Sequence, residues 1–217
     1  MGDDMDSPIR LVGFPPSPFY QTAALCLAEK GIAFDRVTPM DPGIHGENAA
    51  HPFRKIPSLH HGEIAIHESL AIACYVDCAF DGPSIIPTTC EAKARAFEWV
   101  SNYLDYGVRS VLRFSVQERF QKRFHGLAAD EELIAANKPS MLEYCAVLDA
   151  HLKRFPWLSG DQFSIAEMFQ VPALHYFSAT PEGQDILTKM RHVCEWLNRC
   201  HQRSTVTEVC GVLTIKQ

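Results

Sequence analysis

The sequence predicts an α/β domain followed by an all-helical domain. Within residues 9–80, apolar patterns typical of strands and helices follow one another in the order β-α-β-loop-β-β-α. Residues 81–89 are rich in proline, glycine, serine and threonine, a composition typical of a connection between domains. From residue 90 onwards only helical periodicity recurs. We therefore predict domains at residues 1–80 and 90–217, joined by a linker at residues 81–89.

Composition and charge exclude several classes of protein. The 217 residues carry a net charge of −6 without a basic block, which argues against a nucleic-acid partner. Residues 1–6 are acidic, whereas a secretory signal begins with basic residues and continues with apolar ones. The apolar runs fall short of the roughly 20 residues that a membrane span needs. We expect a cytoplasmic protein with neither a membrane nor a nucleic-acid partner.

The first strand and the first helix meet at Ser17. Residues 9–14 read as a strand, and apolar residues recur at helical spacing from Pro18 until Gly31 ends the pattern. A serine directly before a proline predicts a helix start, with Ser17 as the N-cap. A helix N-terminus favours a bound anion such as a thiolate. The Ser17 hydroxyl could accept a hydrogen bond from the helix backbone while donating one to an external sulfur. The alternative is a purely structural cap.

A β-hairpin is predicted after a second strand at residues 33–38 and a loop that extends to Arg54. Residues 55–60 and 63–67 form its two strands, with His61-Gly62 at the turn. Proline in a sheet occupies an edge, a first position or a bulge. A cis Ile56-Pro57 bond would meet this restriction, and it would leave the backbone of Ile56 free to pair with an extended peptide ligand.

A second helix start follows the hairpin at Glu68-Ser69. We predict Ser69 as the N-cap, because helical periodicity begins directly after it. The amides of this helix start would bind a carboxylate, and the Glu68 carboxylate would bind an ammonium group. Together these groups suit the zwitterionic head of an amino acid.

The second domain is predicted to contain long helices. Residues 90–120 form the first, and residues 130–155 form another in which Pro139 predicts a kink or a split near Asn137. Further on, Ser164 and Glu167 have the Ser-x-x-Glu spacing of a capping box, which predicts another helix start.

Three motifs in order resemble the cytosolic glutathione transferases, most closely their serine-type phi and tau classes. These motifs are Gly13-x-x-x-Ser17, Pro52-Phe53-x-Lys55-Ile56-Pro57 and Glu68-Ser69-x-Ala71-Ile72. The resemblance continues through the capping box and covers about residues 8–210. It implies an N-terminal thioredoxin-like domain with a mixed four-stranded sheet and a C-terminal helical bundle.

The resemblance also implies an activity and a set of site residues. Ser17 would stabilise the thiolate of glutathione, a co-substrate, for attack on a hydrophobic electrophile or reduction of a peroxide, and no further cofactor is expected. An isomerase of the same family remains a further possibility, although its usual doubled serine is missing. The implied glutathione-binding residues are Ile56, Pro57, Glu68 and Ser69, with Lys55 and then His45 for the glycine carboxylate. The implied electrophile pocket, between the domains, has candidate residues Phe14, Tyr103, Tyr106 and Phe114.

The resemblance also bears on assembly and on the class of function. The family resemblance implies a homodimer, and the main alternative to an enzyme is a non-catalytic binding or assembly module with the same fold.

The eight cysteines mostly fall in helical apolar patterns, so we expect free, buried thiols. Cys74 and Cys78 share a helix face, but no second ligand pair accompanies them and no metal site is predicted.

Overall fold

A computed structural model describes residues 7–39 and 51–211. The chain divides into two compact units, residues 1–86 and residues 87–217. The division falls inside the predicted linker at residues 81–89.

The N-terminal unit is a four-stranded mixed sheet with two helices. Its elements are β1 (Ile9–Val12), α1 (Pro18–Glu29), β2 (Asp35–Val37), β3 (Ser58–His61), β4 (Ile64–His67) and α2 (Ser69–Ala79). The strand order is β2-β1-β3-β4. Strand β1 pairs in parallel with β2 and antiparallel with β3, and β3 pairs antiparallel with β4. The predicted α/β fold and its order of elements are confirmed.

The core of this unit lies around the central strands. Leu11 of β1 stands directly opposite Leu59 of β3, and both side chains are fully buried. Burying each such leucine contributes about 1.5–3 kcal/mol to folding. At the end of β1, Gly13 lies close to the Tyr20 ring, because a Cβ atom at position 13 would come 2.6 Å from that ring. Glycine at this position therefore lets α1 approach the strand that precedes it.

Every named element among the described residues of the C-terminal unit is a helix. A continuous helical stretch comprises α3 (Cys90–Asn102), a π-helical segment (Tyr103–Gln121) and α4 (Lys122–Phe124). The remaining helices are α5 (Glu131–Leu152), α6 (Ile165–Ser178), α7 (Pro181–Leu187), α8 (Arg191–His201) and α9 (Ser204–Cys210). The prediction of an all-helical second domain is confirmed.

Buried polar groups surround the point where α3 passes into the π-helical segment. Gln170 of α6 donates a hydrogen bond from Nε2 to the Trp99 carbonyl at 3.0 Å, and its Oε1 accepts from the Tyr144 hydroxyl. Tyr144 lies against Gly107, where a Cβ atom would come 2.8 Å from the tyrosine oxygen. These contacts join four helical segments of the unit, and the polar atoms of Gln170 and Tyr144 are paired.

Two local predictions for this unit have different outcomes. The capping box is confirmed at the start of α6, where Ser164 and Glu167 hydrogen-bond reciprocally. Of the predicted kink or split near Asn137, the split is wrong, because α5 continues through Pro139 as one helix of 22 residues. The Asn137 side chain donates to the Leu133 carbonyl at 2.8 Å within that helix.

All eight cysteines are free thiols, but they are not all buried. Four lie in the interior, where burial raises the pKa of the thiol, for Cys145 to about 12. Cys74, Cys78 and Cys90 are exposed, so the expectation of buried thiols is wrong for these three. Helical spacing predicts which residues share a face of a helix, but it does not show which face other residues cover.

The described residues contain no helix that is both long enough and apolar enough to span a membrane. Nor does this part of the chain bring together three or more metal-ligating side chains.

Candidate functional site

Ser17 occupies the N-cap of α1, as predicted. Its backbone is extended, with φ −72° and ψ 125°, and Pro18 occupies the first helical position. The Ser17 carbonyl accepts the first helical hydrogen bond, from the Gln21 amide at 2.9 Å. The side chain is half-buried and stands at the end of the helix where amide groups lack intrahelical acceptors.

The Ser17 hydroxyl makes no capping hydrogen bond to α1. This differs from the expectation that the hydroxyl would accept from the helix backbone. The turn before the helix is closed instead by backbone groups, because the Ser17 amide donates to the Phe14 carbonyl at 2.8 Å and the Gly13 amide donates to Val37 at 2.9 Å. The hydroxyl is therefore not occupied by its own helix, and an external group could receive its proton in a hydrogen bond. Phe14 beside it is 47% exposed.

The segment before β3 carries the other predicted ligand contacts. The Ile56-Pro57 peptide is cis, as predicted. Lys55 is exposed, and Arg54 beside it is also exposed and has φ +52°, in the left-handed region that favours glycine. Sequence reasoning did not select Arg54, although it is a second cation within one residue of Lys55. His45 lies outside the described residues.

The second helix start differs from the prediction by one residue. Glu68, not Ser69, is the N-cap of α2, with φ +71° and ψ 127°. Ser69 is the first helical residue, and its hydroxyl donates to the Phe19 carbonyl of α1 at 3.2 Å. The Glu68 side chain is 70% exposed. The first amides of α2 lack intrahelical acceptors, so the helix start still offers donors for an anion beside an exposed carboxylate.

A buried histidine that sequence reasoning missed touches this carboxylate. His51 is 6% exposed, and its Nε2 lies 3.1 Å from Glu68 Oε1. Its Nδ1 accepts the Phe53 amide at 3.0 Å. The His67 ring lies 5.1 Å from the His51 ring, and burial lowers the pKa of His67. The only signal in the sequence is that five histidines lie within residues 45–67 without regular spacing.

The aromatic candidates of the helical unit separate into two groups. Tyr103 is 1% exposed and packs edge-to-face on Phe169, so it belongs to the core. Tyr106 and Phe114 line a cavity of about 570 Å³ within this unit, together with residues of α5. Tyr106 and Phe114 therefore share one cavity, and Tyr103 is not among the residues that line it.

Comparison with known proteins decides the family. Family models match both parts of the chain: "Glutathione S-transferase, N-terminal domain" matches residues 11–84, and "Glutathione S-transferase, C-terminal domain" matches residues 118–199. Glutathione S-transferase 3 of Zea mays is 30% identical over 200 residues, which cover 88% of this chain and 87% of that protein. The chain belongs to the glutathione S-transferase family.

Other members of the family agree with this assignment. Glutathione S-transferase F10 of Arabidopsis thaliana is 27% identical over 195 residues, which cover 86% of this chain and 89% of that protein. Among solved structures, glutathione S-transferase III in its apo form superposes with a TM-score of 0.83 at 27% identity, covering 97% of this chain and 99% of that one. The resemblance drawn from Gly13-x-x-x-Ser17 and the two later motifs is confirmed at the level of the family.

Proposed function

We propose that this glutathione transferase conjugates glutathione to hydrophobic electrophiles and that Ser17 stabilises the reacting thiolate. The observation that carries the proposal is the Ser17 hydroxyl, which stands at the N-terminus of α1 and makes no capping hydrogen bond to it. A hydroxyl in that position can donate to a sulfur anion, and the helix start adds a partial positive charge.

The chemistry follows from the acidity of a thiol. A free cysteine thiol has a pKa of about 8.5, so most of it is protonated at neutral pH, and each unit of lowering corresponds to about 1.4 kcal/mol of preferential thiolate binding. The hydroxyl and the helix start together would lower the pKa of the bound thiol by about one to two units. The proton passes to solvent, the sulfur forms a bond to the electrophilic carbon, and the leaving group departs with the electron pair of its broken bond. An electrophilic peroxide oxygen would be attacked in the same manner.

The remaining site residues bind the rest of the tripeptide in this proposal. Glu68 binds the ammonium group of the γ-glutamyl head, and the start of α2 at Ser69 binds its carboxylate. The backbone of Ile56, next to cis Pro57, pairs with the cysteinyl residue, and Lys55 binds the glycine carboxylate, with His45 as a second candidate. Phe14, partly exposed beside Ser17, offers an apolar contact to the electrophile, while Tyr106 and Phe114 remain candidates and the buried Tyr103 is the weakest of the four.

The setting proposed for this activity is the cytoplasm, and the proposed assembly is a homodimer. Eight free thiols, three of them exposed, suit a reducing compartment. A twofold dimer is the commonest assembly of soluble proteins. Sedimentation analysis of the purified protein tests the dimer directly.

The catalytic proposal is tested by Ser17→Ala. We expect turnover of an activated aryl halide with glutathione to fall at least tenfold, and the ultraviolet absorbance of the bound thiolate at neutral pH to disappear. A tenfold loss corresponds to about 1.4 kcal/mol of transition-state stabilisation. Ser84→Ala is the matched control, because Ser84 is an exposed serine of the same unit that hydrogen-bonds to Asp77.

Retention on immobilised glutathione, measured together with turnover, separates an enzyme from a binding module. Retention on immobilised glutathione without turnover of any aryl halide or hydroperoxide would favour the non-catalytic module. Turnover that survives Ser17→Ala unchanged would show that another group activates the thiol.

A further inference from the structure

We propose that His51 is a positioning residue that aims the Glu68 carboxylate at the ammonium group of the substrate. This inference rests on the proposed function and extends it to a residue outside the motifs that indicated the family.

The backbone selects the tautomer of His51. The Phe53 amide can only donate, and it lies 3.0 Å from His51 Nδ1, so Nδ1 is the acceptor. The proton of the neutral ring is therefore on Nε2, which faces Glu68 Oε1 at 3.1 Å. His51 consequently donates to the carboxylate. The ring is held from one side by a local backbone group and directs its only N–H towards Glu68.

Glu68 needs such a partner because its surroundings leave it free to move. Its side chain is 70% exposed, whereas that of His51 is 3% exposed. An exposed glutamate samples several rotamers, and restricting them costs free energy when a ligand binds. A hydrogen bond from a buried, oriented donor restricts the carboxylate before the ligand arrives. The contact also links residues on either side of β3 and β4, since His51 precedes the hairpin and Glu68 follows it.

The contact leaves one oxygen of the carboxylate available. Within residues 7–39 and 51–211, Glu68 Oε1 accepts from His51 and no hydrogen bond to Oε2 is formed. An ammonium group at the exposed edge would therefore meet an oriented anion. Burial lowers the pKa of the neighbouring His67. A positive charge on that ring, which would compete for the carboxylate, is therefore disfavoured.

Two substitutions separate the two hydrogen bonds of His51. In His51→Asn the shorter side chain can still accept the Phe53 amide, two residues ahead, as asparagine does in turns, but it does not reach Glu68. In His51→Gln the amide nitrogen takes approximately the place of Nε2 and can still donate to Glu68. We expect His51→Asn to raise KM for glutathione about tenfold with kcat changed less than about twofold, because ground-state and transition-state binding are lost equally. We expect His51→Gln to recover most of that loss.

A modified substrate distinguishes positioning from a structural role. The probe is the glutaryl analogue of glutathione, which lacks the amino group that Glu68 would bind. If His51 acts through Glu68, the analogue binds weakly to the wild type, and His51→Asn weakens it by less than about twofold. His61→Asn is the matched control, because His61 is another buried histidine of the same unit, 2.8 Å from the Tyr75 hydroxyl and remote from Glu68 in the hydrogen-bond network.

The outcomes are distinct for the two proposals. An unchanged KM in His51→Asn, or equal losses for glutathione and for its glutaryl analogue, would overturn the positioning role while glutathione transfer stands. Failure of the wild type to bind or use glutathione would overturn the proposed function itself, and the role of His51 with it.

Discussion

Two serines of this chain begin helices after extended backbone, yet they use their hydroxyl groups differently. Ser164 is fully buried at the start of α6, where its Oγ accepts the Ala166 amide at 3.3 Å and donates to Glu167 at 3.0 Å. Ser17 is half-buried at the start of α1 and forms no capping hydrogen bond. A helix-start serine can therefore be structural or available for chemistry, and the partner of its hydroxyl distinguishes the two cases.

The largest effect on stability is expected from Glu167→Ala in the structural cap. Glu167 is fully buried and accepts the Leu158 amide at 2.6 Å and the Ser164 amide at 2.9 Å. Its removal leaves these donors without an acceptor and opens a cavity, so the free energy of unfolding should fall by about 3 kcal/mol or more. Urea unfolding followed by circular dichroism measures it. The exposed Glu208→Ala is the control, and a loss below 1 kcal/mol would contradict the role given to Glu167.

The same carboxyl group should make stability depend on pH. Burial raises the pKa of Glu167 from its usual 4.5 to about 7. Between these values the folded state retains a proton that the unfolded state releases, so stability is greatest below 4.5 and falls as the pH rises to about 7. The wild type should lose about 2–3 kcal/mol over this window relative to Glu167→Ala. Parallel unfolding curves for the two proteins at every pH would contradict the raised pKa.

The smallest and most discriminating effect comes from paired alanine substitutions of the two serines. Ser164→Ala should lower the free energy of unfolding by about 1–2 kcal/mol, as the loss of a capping side chain does. Ser17→Ala should change it by less than about 0.5 kcal/mol, because no capping bond is lost. Thermal unfolding of both variants in one buffer measures the difference. Equal losses would show that Ser17 also supports its helix, and the distinction between the two caps would be lost.

Local signals in the sequence predicted most of the fold. The helix starts at Ser17 and Ser164, the turn at Gly62 and the cis bond before Pro57 each depend on a few consecutive residues. Each of these patterns involves only a few neighbouring residues. The structure contains both helix starts and the cis bond. The hairpin turn is Gly62-Glu63, one residue later than the predicted His61-Gly62, because His61 is still paired in β3. The division of the chain into an α/β part and a helical part follows from the same patterns, because the period of apolar residues changes near residue 90.

Features that depend on contacts between distant residues could not be predicted. The His51–Glu68 contact joins positions 17 residues apart, and neither residue marks the other in the sequence. Periodicity placed Tyr103 on an apolar face but could not show that the face packs on Phe169. The left-handed backbone at Glu68 moved the helix start by one residue, since a positive φ at glutamate has no sequence signal.

The hydrogen bond from Ser69 to the Phe19 carbonyl has a consequence for how the N-terminal unit responds to change. It ties the first turn of one helix to the first turn of the other at 3.2 Å. In the proposed function, the start of α2 binds the γ-glutamyl head of the tripeptide and the start of α1 activates its sulfur. This hydrogen bond connects the two helix starts directly. We therefore expect a substitution that displaces the start of one helix to alter the position of the other.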